Sequence, residues 1–302
     1  MITRNQLSSN GPEISSLVYG TWRMLDDDSS IQDINARLNR CVELGITTID
    51  TAEIYGLYEV EEALGKALAL SPGLRDRIEI VTKAGIYVPN ARHPDRKVAF
   101  YNASAPRLVK SLEKSLRLIG TDRIDLFLVH RPDWLTSIDD TAGGLNQLLS
   151  DGKIRSAGVS NYTASQFSAL NSRMEQPLAT NQLEFHLLNM DSIHDGTFDQ
   201  CQELKVQPMA WSPMAGGRLF DKTDEAATRL AQTADNLSGK YNNATLEQFA
   251  YAWIMAHPSR PIPIIGTNKI ERIESAAKAV DIQLDREDWY AFWTAAHGHG
   301  VP

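Results

Sequence analysis

Four side chains of complementary chemistry fall at or just beyond the ends of three consecutive apolar runs. The run 47–51 carries Asp50, with Tyr55 five residues on; the run 78–83 ends in Lys83; the run 126–130 ends in His130. A charged residue finishing a buried run is unfavourable unless it is paired. Together the four suit proton donation by a phenol. A free tyrosine holds its proton up to a pKa of about 10. A lysine ammonium beside it favours the phenolate and pulls that value down, and an aspartate paired with the lysine keeps the ammonium charged and in place. A histidine near the same oxyanion position orients a carbonyl and shares in proton transfer. The reaction expected of such a set is reduction of a carbonyl, with hydride from a cofactor on one side and a proton from Tyr55 on the other. Taken singly, each residue has a plainer explanation: Asp50 as a strand-end cap, Lys83 as an ion-pair partner, His130 as a satisfied core histidine, Tyr55 as packing. Their convergence carries the reading.

The elements that must position them can be read from the same pattern. Eight short, nearly continuous apolar runs, at 17–21, 47–51, 78–83, 126–130, 156–161, 180–183, 207–213 and 262–266, have the character of parallel strands buried on both faces. Helical periodicity fills the intervals at 31–44, 59–70, 105–119, 141–149, 164–170, 193–204, 246–257 and 269–280. Pro106 near the start and Gly120 after the end of the third helix are helix punctuation. Strand and helix alternating eight times predict an α/β (β/α)8 TIM barrel, one domain over 1–302. An open doubly wound sheet uses the same alternation, but the first turn, Gly20-Thr21-Trp22-Arg23-Met24, lacks a glycine-rich dinucleotide fingerprint. Polar residues are also spread over many strand ends, as at a barrel mouth. Asn10-Gly11 predicts a short N-terminal hairpin, and the stretches 84–104 and 214–243 are expected as long loops after strands 3 and 7.

The 302 residues carry 30 Lys+Arg against 38 Asp+Glu, a net charge of −8. An acidic chain without a basic block is not expected to bind nucleic acid. The longest apolar run, 249–256, is far short of a membrane span. Met1-Ile2-Thr3-Arg4-Asn5-Gln6 shows neither an apolar h-region nor a cleavage pattern, so export is not expected, and two isolated cysteines, Cys41 and Cys201, indicate neither a disulfide framework nor a metal site. The expectation is a cytoplasmic enzyme with a small-molecule partner, monomeric and independent of metal.

The motifs resemble those of the aldo-keto reductase family, in its bacterial NADPH-dependent form. Asp50-Thr51-Ala52-Glu53-Ile54-Tyr55-Gly56 is similar to the signature after strand two, and Thr82-Lys83 and Val129-His130 to the next two. The resemblance runs from Gly20-Thr21-Trp22 to Arg272. It implies a (β/α)8 barrel that reduces aldehydes and ketones to alcohols with NADPH. It also implies Tyr55 as proton donor, Lys83 and Asp50 as its tuning pair, and His130 as the residue that orients the carbonyl.

It further implies a cofactor groove. Ser160, Asn161 and Gln182 would grip the nicotinamide carboxamide, for which amide and hydroxyl groups are suited. Trp211 would stack on the nicotinamide where many members carry Tyr. Gly20, Thr21, Trp22, Ser212, Pro213 and Leu219 would line the groove, and Gly216 and Gly217 would let the backbone approach the pyrophosphate. Gly266, Thr267, Asn268, Arg272 and Ser275 would hold the adenosine end, with Arg272 forked on the 2′-phosphate at a helix start. The motif departs from the family at Gly266, where many members have Lys, and at Ser275 and Ala276, where they often have Gln or Glu and then Asn. The departures imply a looser phosphate site and some use of NADH, with Lys269 a candidate to replace the charge.

For the substrate, Trp22, Tyr87 and Trp134, with Tyr55 and His130, are the candidate walls, which would suit apolar or aromatic carbonyls. The short segment 293–302 implies a more open pocket than in members selective for steroids or large sugars. Two other readings stay open. Relatives of this family serve as redox-sensing auxiliary subunits of channels and can keep all four catalytic residues. A barrel enzyme using Lys83 as a Schiff base is disfavoured by the carboxylate at hand.

Overall fold

The computed structural model describes residues 2–91 and 93–302; Met1 and Arg92 lie outside the described residues, so the N-terminal reading and the expected loop 84–104 are assessed without them. Eight parallel strands close into a barrel in chain order: β1 (Val18–Gly20), β2 (Thr48–Asp50), β3 (Glu79–Ala84), β4 (Ile124–Val129), β5 (Ile154–Ser160), β6 (Asn181–Glu184), β7 (Met209–Trp211) and β8 (Ile262–Ile265). Ile264 pairs with Val18 and closes the ring. All eight coincide with the apolar runs, because each strand is buried by the barrel interior on one face and by helices on the other.

The surrounding helices are α1 (Ile31–Glu43), α2 (Val60–Ala69), α3 (Ala105–Ile119), α4 (Ile138–Ser150), α5 (Ala164–Asn171), α6 (Thr197–Leu204), α7 (Glu225–Ser238), α8 (Leu246–Met255) and α9 (Ile270–Lys278), followed by a C-terminal α10 (Arg286–His297). Their starts are written in the sequence. Ser30 with Asp33, Thr163 with Gln166, and Thr245 with Gln248 form reciprocal capping boxes, each satisfying orphan amide donors of a first turn. Gly120 ends α3 in the left-handed conformation.

Three differences from the sequence reading have local causes. The segment 214–243 is not a loop throughout, because α7 occupies fourteen of its residues behind an Asp224 cap. Its inner face is Ala227, Leu230 and Ala234, too little apolar bulk to show as a strong period. The expected helix 193–204 is split at Gly196 (φ 83°), leaving a single turn at Asp191–His194 before α6. The segment after β3 folds into a two-stranded hairpin, Ile86–Tyr87 against Phe100–Tyr101.

The barrel has a closed and an open end. The N-terminal hairpin, Arg4–Gln6 paired with Glu13–Ser15, places Leu7 and Ile14 in the interior cluster with Val18, Val81, Leu126, Met209 and Ile262. Both are fully buried; side chains of this size contribute about 1.5–3 kcal/mol each when removed from water. Gln207 donates its backbone N–H to Leu7 O at 2.7 Å and ties the plug to the strand entering β7. With that end sealed, polar side chains at the C-terminal strand ends face the open mouth.

Candidate active site

The mouth holds a cavity of about 500 Å³, walled by strand ends and loops from around the barrel. At its base, β2 delivers Asp50 and β3 delivers Lys83. The Lys83 ammonium is wholly buried and makes three contacts: Asp50 Oδ1 at 2.6 Å, Thr51 O at 2.8 Å and the Tyr55 hydroxyl at 3.0 Å. An ammonium has three donors, so all are used. That disposition opposes a Schiff-base role, which needs an uncharged amine.

Tyr55 stands where the chain leaves β2 and turns sharply. Gly56, Leu57 and Tyr58 are all left-handed, at φ 54°, 53° and 78°. Three such residues in a row are rare, because the Cβ crowds the backbone in every residue but glycine. The Tyr58 hydroxyl anchors the turn by accepting from Val88 N at 3.2 Å and from Arg96 at 2.8 Å. The Trp22 indole stands edge-on to the Tyr55 ring, with centroids 4.8 Å apart, and covers it from the β1 loop.

Burial pushes the Tyr55 phenol above its ordinary pKa; the Lys83 charge pulls the other way without offsetting it. Lys83 thus lowers what burial raises, and the net direction is upward. Burial acts to lower Lys83, but the Asp50 carboxylate and the Tyr55 hydroxyl together outweigh it and hold the ammonium charged. His130, at the end of β4, has its ring centroid 5.9 Å from that of Tyr55. Burial, with the positive charges of Lys83 and Arg131, holds its pKa well below the usual imidazole value, so it is neutral at neutral pH. Its buried Nδ1 has no hydrogen-bond partner among the described residues.

A polar chain continues around the mouth. Gln182 Nε2 donates to Asp50 Oδ2 at 2.7 Å, so what it offers a ligand is its carbonyl oxygen. Ser160 Oγ donates to Gln182 O at 2.8 Å, Asn161 Nδ2 to Ser160 Oγ at 2.7 Å, and Trp211 Nε1 to Asn161 Oδ1 at 3.0 Å. These bonds fix the indole of Trp211 as a flat wall. Asn161 and Ser212 are left-handed at φ 59° and 57°, backbone strain of the kind that collects at binding sites.

The far end of the cavity is set by Gly216, Gly217, Gly266, Thr267 and Arg272. A Cβ built on any of the three glycines meets nothing within 4 Å, so this wall is open floor. Arg272, at the start of α9, forks onto Glu247 of α8, at 2.8 Å from Nη2 and 3.2 Å from Nε.

Several expected residues lie off the cavity. Tyr87 is buried beneath the hairpin, stacked on Phe100 and bonded to Ser111 at 3.0 Å. Trp134 is 81% exposed and touches Tyr101. Thr21 is buried with its hydroxyl on Asp50 O, and Leu219 is packed in the α7–α8 core. Ser275 accepts from Gln248. Asn268 donates to Arg23 O at 2.7 Å and ties two mouth loops together. Conversely, Arg131, Arg23, Phe220, Glu247 and Tyr251 line the cavity and were not singled out from sequence. Arg131 could have been noticed, because it follows His130 directly; the others depend on how distant loops meet.

Comparison with known proteins agrees with this architecture. The model of the aldo/keto reductase family matches residues 16–295. The chain is 42% identical over 290 residues to the 6-dehydroglucose reductase of Agrobacterium fabrum, covering 96% of each chain. It is also 42% identical over 304 residues to the oxidoreductase YdhF of Escherichia coli, covering all of both. Among solved structures, an aldo/keto reductase from Klebsiella pneumoniae in complex with NADP and acetate superposes with a TM-score of 0.77 at 29% identity, over 95% of this chain and 94% of that one. With a family match across nearly its whole length and two relatives of this closeness, the chain belongs to the aldo/keto reductase family of oxidoreductases.

Proposed function

We propose that this protein reduces the aldehyde or ketone group of a small, oxygen-rich molecule to an alcohol, with NADPH as reductant and Tyr55 as proton donor. The observation that carries it is the triple contact of the Lys83 ammonium, which puts the Tyr55 hydroxyl, at the cavity wall, against a charge held by Asp50. The groove fits a nicotinamide dinucleotide by its own chemistry: a fixed indole plane at Trp211, amide and hydroxyl groups at Asn161, Ser160 and Gln182, a glycine floor and a guanidinium at the far end. The NADP complex of the Klebsiella relative supports the same choice of cofactor.

When bound, the dinucleotide supplies the hydride. Trp211 would flank the nicotinamide, Gln182 would accept from its carboxamide, and Arg272 with Thr267 would meet the phosphate end. His130, being neutral, can direct one ring N–H at a carbonyl oxygen without carrying charge into the site. Tyr55 would give its proton to that oxygen, which becomes the alcohol hydroxyl. The phenolate left behind is stabilised at 3.0 Å by Lys83 and regains its proton from water. Carbonyl, hydride and proton together make one alcohol.

The substrate class follows from the wall that replaces Tyr87 and Trp134. Arg131 faces the cavity over Trp211 at 5.7 Å, and no hydrogen bond or ion pair joins its guanidinium to another described residue. Donors there suit hydroxyl or carboxylate groups beside the carbonyl, which the name of the 6-dehydroglucose reductase relative also favours. The test is loss of reduced-nicotinamide absorbance with NADPH or NADH against hydroxylated aldehydes, keto acids and apolar aromatic aldehydes. Turnover of the hydroxylated or acidic compounds is expected; turnover of aromatic aldehydes alone would overturn the substrate class. Dinucleotide binding without turnover of any carbonyl would overturn the enzymatic reading.

A further inference from the structure

We infer that Glu247 sets the dinucleotide preference of this protein, holding part of Arg272 away from a 2′-phosphate and offering an acceptor to a free ribose hydroxyl. The inference rests on the groove assignment proposed above and concerns only its adenosine end. Dinucleotide sites distinguish the two cofactors by charge: an acid accepts from the 2′-hydroxyl of NAD, and an arginine accommodates the 2′-phosphate of NADP. Here both groups are present, both line the cavity, and they are bonded to each other.

The carboxylate is held firmly. Glu247 lies in the first turn of α8, where the helix end favours negative charge. It takes two bonds from Arg272, and the buried Tyr251 hydroxyl donates to it at 3.4 Å. The pairing holds Arg272 above its ordinary pKa, with the Glu247 bond as the leading cause. The arginine uses Nε and one side of its fork on Glu247. Its other terminal nitrogen has no partner among the described residues, and Phe220 lies beneath the guanidinium at 5.8 Å. A 2′-phosphate therefore meets a half-used guanidinium with a carboxylate beside it. A phosphate monoester carries nearly two negative charges near neutrality, so the carboxylate repels it. A ribose hydroxyl meets no such repulsion and can donate to Glu247. Gly266, on the same wall of the cavity, adds no charge to that balance.

The test is calorimetric titration of the purified protein with NADP+ and NAD+, which reads binding without turnover. For the native chain the two affinities are expected within about tenfold of each other, and a preference for NADP+ beyond about a hundredfold would overturn the inference without any variant. Glu247→Gln keeps the shape and removes the charge. It is expected to tighten NADP+ by about fivefold or more while NAD+ weakens or stays within about twofold. An unchanged ratio, or weaker NADP+ in Glu247→Gln, would mean that Glu247 only positions Arg272, and the inference fails while the groove assignment stands. If neither dinucleotide binds the native chain, the groove assignment fails and takes the inference with it. Thermal unfolding of each variant confirms that the compared chains are folded.

Discussion

Lys83 and Tyr55 meet at 3.0 Å from ammonium to hydroxyl although 28 residues separate them in the chain. The contact exists because β2 and β3 are neighbours in the barrel and both end at its mouth. Replacing Tyr55 with Phe removes the acid but not the ring that packs against Trp22. The variant is expected to keep its fold and its dinucleotide affinity while kcat falls by about 10²–10⁴, the span of general acid catalysis. Steady-state kinetics beside a binding titration separate the two effects. Near-native kcat would show that another group delivers the proton.

Lys83→Met should behave differently. It leaves Asp50, nearly fully buried, with Gln182 as its remaining side-chain partner. Removing one member of a buried ion pair costs about 3–5 kcal/mol. Lys83→Met is therefore expected to lower thermal stability well below that of Tyr55→Phe, as well as losing activity. Equal melting temperatures for the two variants would mean that the buried charge at Asp50 is relieved by protonation or water.

The pH profile follows from the directions of the shifts. His130 is held well below its usual pKa by burial and by Lys83 and Arg131, so it does not change charge as pH passes through 6.5. Tyr55 is raised, by burial before anything else, so it stays protonated through the neutral range. The reduction rate is expected to be flat across neutrality and to fall only in alkali. A break near the ordinary histidine value in the native chain, absent from His130→Gln, would show that His130 titrates after all.

How much of this was legible in the sequence depended on whether a residue's neighbours lie in its own βα unit. The strands could be read because burial on both faces makes them continuous apolar runs. Asp50, Lys83 and His130 could be read because they finish such runs. The α7 helix was hidden because its core face is built from Ala227, Leu230 and Ala234. Tyr87 and Trp134 looked like pocket walls because aromatic residues in loops after strands often are. The hairpin at Ile86–Tyr87 instead turns Tyr87 under Phe100, and no local pattern reports that. The Glu247–Arg272 fork joins two helices 25 residues apart, and only the closed barrel brings them together.

Glu61 gives a stability signature independent of the active site. Its carboxyl is buried between Thr82, at 2.6 Å, and Ser115, at 2.9 Å, with Glu53 and Lys114 nearby. Burial raises it from 4.5 to about 7. A carboxyl raised in the folded state binds more protons folded than unfolded between those values. Its contribution is present below the unfolded value and is lost as pH rises from 4.5 toward 7, about 3 kcal/mol in all. Glu61→Gln does not ionise and should flatten that part of the profile, leaving the variant more stable than the native chain at neutral pH and about equal to it in acid. Denaturant midpoints measured across this range check it, and parallel profiles for the two chains would show that Glu61 does not titrate there.

Adjacent glycines in α4 supply a test of packing in which one substitution takes opposite signs. Gly143 is on the exposed face, and a Cβ there meets nothing within 4 Å. Gly144 faces α3, and a Cβ there would lie 2.7 Å from the Ala105 Cα and 3.4 Å from its carbonyl oxygen. The backbone of Ala105 cannot move aside without disturbing the start of α3. Gly143→Ala gains helix propensity and restricts the unfolded chain, worth about 0.5–1 kcal/mol of added stability. Gly144→Ala makes the same gain but must push the two helices apart, and overpacking of this kind costs about 1–3 kcal/mol. The first variant is therefore expected to unfold at higher urea than the native chain and the second at lower. If both shift upward, α3 and α4 yield more easily than a close backbone contact allows, and the interhelical spacing is not set by Gly144.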